Sequence, residues 1–153
     1  MPVSKIENTI SKVCNAFEPV KMYKYGFITE VNDGVSNEYP LTLLDKNYTG
    51  FDNISTYGSI RNFKLWILDN YDSDKRDAVA YSTKQAELEK WLRQIAKEIY
   101  RQCTESNTDW LLINDDNLVI ETFDRTHVDS LIGANITLSF QVNAACEEGT
   151  FNY

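Results

Sequence analysis

Polar and apolar positions divide this chain into a short series of elements. Ile6, Ile10, Val13, Cys14 and Phe17 recur at helical spacing, which predicts a helix of about four turns with one apolar stripe. Ser4 and Glu7 form a capping box at its start, and Pro19 closes it. A longer stripe of Leu88, Trp91, Leu92, Ile95, Ile99 and Cys103 predicts the main helix, opened by the capping pair Ser82 and Gln85. Charged residues such as Glu87, Lys90, Arg93 and Lys97 occupy the rest of its surface. Its apolar side is therefore expected to lie on a sheet.

The strand signals fall between and after these helices. Residues 23–30 are rich in aromatic and β-branched side chains, and residues 39–44 alternate briefly behind Pro40, which suits the start or edge of a strand. Residues 60–69 place Phe63, Leu65 and Ile67 on one face and Trp66 and Leu68 on the other. A strand apolar on both faces is central and covered on each side, or part of an interface. Trp110 to Ile113 is a short apolar segment, and residues 118–124 form a further strand.

The last strand, residues 134–142, alternates without a fault, with Ile136, Leu138, Phe140 and Val142 against Asn135, Thr137, Ser139 and Gln141. A slip of one residue would exchange its faces, so the register should be well specified. Residues 45–59 are polar with Gly50 and Gly58, a long loop or flexible hairpin, and residues 143–153 read as an extended tail. No internal repeat is evident. The expectation is one α+β domain over residues 1–153, with two helices packed on a mostly antiparallel sheet.

Composition narrows the function more than the fold. The chain has 153 residues, enough for a core without disulfides or metal, and 42% of them are apolar. No apolar run approaches the ~20 residues of a membrane span, and the N-terminal residues lack the pattern of a signal peptide. The chain is expected to be made in cytosol. A formal charge of −8 with dispersed Lys and Arg argues against general nucleic-acid binding. Like charge can still line a passage that DNA slides through.

Candidate chemistry is sparse. Cys14, Cys103 and Cys146 are far apart and lack metal-ligand spacing, and the first two lie within helical stripes. Asp69, Asp72, Asp74 and Asp77 resemble a cation loop, but Asp74 and Ala80 stand where an EF-hand needs glycine and glutamate. His127, the single histidine, has Asp124 and Asp129 nearby and no nucleophile signature. An enzyme, a cofactor and a metal site are therefore not expected. Tyrosines in or beside loops, Tyr39, Tyr48, Tyr57, Tyr71 and Tyr81, instead point to contact with another chain. Tyr48, Phe51, Tyr57, Tyr71, Phe151 and Tyr153 are the candidate subunit-interface residues.

Two blocks carry a family resemblance. Phe63 to Asp69, the charged residues 72–77 and the helix opening at Ser82 form one block. Phe123-Asp124-Arg125, residues 128–133 and the alternating strand ending at Cys146 form the other. Together they resemble small tail and neck proteins of phages infecting Bacteroidetes, including crAss-like phages. The resemblance implies a tail-terminator or head-to-tail connector fold. It also implies a homo-oligomeric ring, sixfold or twelvefold, that joins portal to tail in the virion. Its neighbours would be portal, ring or tail proteins, with genome DNA passing through unbound by sequence and no membrane involved. Residues 45–59 and the lack of a proline after the cysteine depart from that pattern. The alternative is a monomeric host-directed binding or inhibitor protein.

Overall fold

The structure is a computed structural model that describes residues 2–28, 37–53, 58–70, 78–105, 110–112, 120–125, 131–143 and 152–153. Helix α1 spans Pro2–Ala16. It begins two residues before Ser4, so the expected capping box lies inside its first turn. Proline is favoured at a helix's first position because its φ is preset and its missing N–H would be unpaired there anyway. After Ala16 the chain turns through Pro19, with the amide of Val20 donating to the carbonyl of Phe17 at 3.1 Å.

Strands β1 (Met22–Gly26), β2 (Leu41–Asp45), β3 (Thr49–Asn53) and β4 (Gly58–Asn70) follow. Helix α2 (Ala78–Glu105) and strands β5 (Trp110–Leu112), β6 (Ile120–Arg125) and β7 (Leu131–Asn143) complete the described elements. Helix α2 starts one turn before the expected cap at Ser82. Tyr81, placed by its sequence context in or beside a loop, lies in that added turn and packs against the core. Strand β1 is shorter than expected, and β7 starts at Leu131 rather than at residue 134. Residues 45–59, which allowed a loop or a hairpin, hold β3 paired antiparallel to the start of β4.

The sheet is built on β4 and β7, thirteen residues each, paired antiparallel along their whole length. Two short strands line each outer side of this pair. Along β4, β3 covers residues 58–62 and β2 covers residues 65–68. Along β7, β6 covers residues 131–136 and β5 covers residues 140–142. Strand β1 adds to β2 in parallel, the one parallel pair among the described strands. The result is a single α+β domain with an open, mostly antiparallel sheet.

Both helices pack on one sheet face. Ile6, Ile10 and Val13 of α1 and Leu88, Leu92, Ile95 and Ile99 of α2 meet Phe63, Leu65 and Ile67 of β4. Ile132, Ala134, Ile136, Leu138 and Phe140 of β7 complete this core. Each large side chain so buried contributes about 1.5–3 kcal/mol. A smaller cluster of Leu41, Leu43, Leu68 and Leu131 occupies part of the opposite face, with Trp66, Met22, Ile28 and Tyr39 packed against it. Strand β4 is therefore central, and the apolar character of both its faces has this cause.

Pairing also sets residues in straight rows across the sheet. One row runs Lys24, Leu43, Trp66, Asn135, Glu121, from β1 through β2, β4 and β7 to β6. Another runs Tyr25, Leu44, Leu65, Ile136, Ile120 on the helix-bearing face.

Candidate functional site

An exposed aromatic surface is built where β2 passes into β3. Leu44 pairs with Leu65 and Thr49 with Asn62, so four residues of one strand span the same distance as two of β4. The excess bulges outward, as extra residues in a strand must. Asp45, buried, holds the bend by accepting a hydrogen bond from the amide of Asn47 at 3.0 Å.

The bulge sets aromatic rings around a cation. The Lys46 ammonium lies 5.5 Å from the Tyr25 ring centre and 5.6 Å from that of Phe27. Either ring face attracts such a cation by its quadrupole. The Tyr25 hydroxyl donates to Glu7 Oε1 at 2.7 Å, tying β1 to α1. Burial, together with the neighbouring Glu7 carboxylate, pushes the Tyr25 phenol up to about 12. Tyr48 stacks on the core through Phe63, with ring centres 5.1 Å apart, and leaves 43% of itself exposed.

Beyond the bulge, the β3–β4 hairpin projects Phe51, which is 62% exposed. Phe51 pairs with Ile60 on the face that carries Thr49, Asn62 and Ser139. Those three polar residues are linked across the strands, with Ser139 Oγ donating to Asn62 Oδ1 at 2.5 Å and Asn62 Nδ2 to Thr49 Oγ1 at 3.4 Å. On the other face the Arg61 guanidinium donates to Asp52 at 2.9 Å. Arg61 lies across Gly50, where an added Cβ would come within 2.9 Å of its side chain and 2.3 Å of the Ile60 carbonyl oxygen. The paired strands are thus fastened on both faces while Phe51, in the middle of β3, stays exposed.

Of the six expected interface residues, Tyr48 and Phe51 stand on this arm and Tyr153 is fully exposed. Tyr57, Tyr71 and Phe151 lie outside the described residues, as do His127 and the acidic residues Asp72, Asp74 and Asp77. The patch around Tyr25 and Lys46 escaped sequence reading because Tyr25 belongs to a strand and Lys46 to a polar segment. Only the parallel pairing of β1 with β2 brings them together.

The described thiols offer no chemistry. Cys14 and Cys103 are buried, and burial pushes both up to about 12, which suppresses the reactive thiolate. Among the described residues no group of His, Cys, Asp and Glu side chains is placed to hold a metal. No described helix is long and apolar enough to cross a membrane. No protein-family model and no curated protein matches the chain.

Proposed function

We propose that this protein is a structural component of a tailed-phage virion, a ring in the neck or tail between portal and tail. The observation that carries this reading is the β3–β4 arm, which leaves Phe51 62% exposed on one face and follows a bulge whose Tyr48 is 43% exposed. Large exposed aromatic side chains on a fastened support suit burial against another chain. A ring needs one surface of each subunit to meet a different surface of the next, and an open sheet with two edges supplies such a pair. The −8 charge suits a wall around a DNA passage, since like charge keeps the polymer mobile. The role requires no catalytic group, cofactor or metal, and its partners are further copies and the adjoining portal, ring or tail proteins.

Mass photometry and negative-stain microscopy of the purified chain test the reading, with rings of six or twelve copies as the expected result. Phe51→Ser should leave the fold intact and reduce assembly. A chain that stays monomeric at high concentration and binds neither portal nor tail proteins would overturn the proposal. That result would favour a monomeric binding protein, whose contact surface would then be the same arm.

A further inference from the structure

The two margins of the sheet differ in a way that selects one kind of contact between copies. Among the described residues, β1 pairs only with β2 and β6 only with β7, so each leaves an outer edge unpaired. Unpaired edges are templates for another strand. Strand β1 runs with β2 and β7, whereas β6 runs with β4 and against them. Copies set side by side in the same orientation would therefore join β1 to β6 antiparallel, the more stable pairing.

Charge separates this arrangement from its competitors. Residues 20–28 contain Lys21 and Lys24 and no acidic residue. The Glu7 carboxylate near them is held by Tyr25, and Lys24, which donates to Asn37, would have to exchange or share that bond. Lys46 stands over the rings at the same margin. At the other margin Glu121 is exposed, and β6 carries Glu121 and Asp124 against Arg125 alone. A twofold contact of β1 with β1 would bring lysines together, and one of β6 with β6 would bring carboxylates together. Opposed like charges disfavour both, while β1 against β6 is complementary.

Register completes the argument. Lys24 and Glu121 are the two ends of one row across the sheet and lie on the same face. Setting Glu121 of the next copy opposite Lys24 extends that row, and it also places Tyr25 opposite Ile120 and Tyr23 opposite Thr122. Because the row runs across the strands, the step from copy to copy has little component along them. Such a head-to-tail repeat closes into a ring when the rotation between copies divides a full turn, and forms an open filament when it does not.

We propose that copies of this chain assemble head to tail by antiparallel pairing of β1 on one copy with β6 on the next, with Lys24 facing Glu121. The proposal rests on the ring reading and specifies its contact. Two sets of variants test it. Lys24→Glu and Glu121→Lys alone should each raise the concentration needed for ring formation by about tenfold or more, and the two together should restore it.

In a Cys146→Ser background, Lys24→Cys with Glu121→Cys should give a ladder of covalent multimers with a short bifunctional maleimide. Either cysteine alone should give no covalent dimer. A wild-type chain that is monomeric throughout overturns the ring itself. Wild-type rings with no ladder, or with charge variants that assemble normally, overturn only the edge pairing. A covalent dimer from Lys24→Cys alone would show twofold pairing and overturn it as well.

Discussion

The side-chain amide of Gln85 donates to the backbone carbonyl of Gly133 at 3.1 Å, a buried bond between α2 and β7. It joins elements 48 residues apart in sequence. One position earlier, Lys84 forms an ion pair with Asp69 at 3.2 Å. The same turn of helix is thus fixed to β7 by a neutral bond and to β4 by a charged one.

The neutral bond should matter more. Gln85→Ala removes this buried bond and its packing, offset in part by the loss of an amide oxygen that has no partner among the described residues, and should cost about 1–2 kcal/mol. Lys84→Ala removes a partly solvated pair and should cost less than about 1 kcal/mol. Urea unfolding of both variants measures the difference, and a larger loss for Lys84→Ala would refute this ranking.

Gly133 and Gly50 should respond differently to a methyl group. A Cβ on Gly133 would meet the Ile67 carbonyl oxygen at 2.0 Å, between the two central strands. Gly133→Ala should therefore cost about 3 kcal/mol or more, in the range of severe steric and packing defects. Gly50→Ala also collides with backbone, but on an exposed margin strand. It should loosen the hairpin and leave the core transition near its wild-type midpoint. Hydrogen exchange of residues 49–53 against a urea titration separates local from global loss.

Asn135 is 2% exposed, and its buried side-chain oxygen has no hydrogen-bond partner among the described residues. An unpaired buried polar atom costs free energy, whereas valine suits a strand interior. Asn135→Val should raise stability by about 1 kcal/mol, read as a higher urea midpoint at unchanged slope. A fall in midpoint would mean that the amide contributes a bond that outweighs this cost.

Alkaline pH should weaken the fold. Burial pushes the Cys14 and Cys103 thiols from 9.0 up to about 12 and raises the Tyr23 hydroxyl as well. The unfolded chain releases these protons at lower pH than the folded one, so unfolding gains as pH rises. The stabilisation is complete below about pH 9 and is lost progressively toward pH 12. Urea midpoints between pH 7 and 10.5 should fall above pH 9, less steeply for Cys14→Ala. Neither thiol should react with a maleimide at pH 7 before unfolding.

The sequence disclosed what depends on local spacing. The stripes from Ile6 to Phe17 and from Leu88 to Cys103 mark helix faces that the structure buries, because a 3.6-residue period has few other uses. The two-sided apolar strand around Trp66 is likewise central. What escaped is set by partners distant in sequence. Nothing near Met22 announces that β1 joins β2 in parallel, and nothing near Tyr81 announces the core contact that extends α2 by a turn. For the candidate site, Tyr48 and Phe51 stood out as aromatics in a polar segment. The pairing of Lys24 with Glu121 as ends of one row could not be read before the order of strands was known.

The thirteen-residue pairing of β4 with β7 has a mechanical consequence. At roughly 3.4 Å per residue the two strands overlap over about 40 Å. A pull along the strands loads these rungs together in shear, so that they must fail in concert. A pull across the sheet would open them one after another, like a zipper. The domain should therefore resist stretching along its long axis far better than peeling from its margins, a property that single-molecule pulling from chosen attachment points would measure.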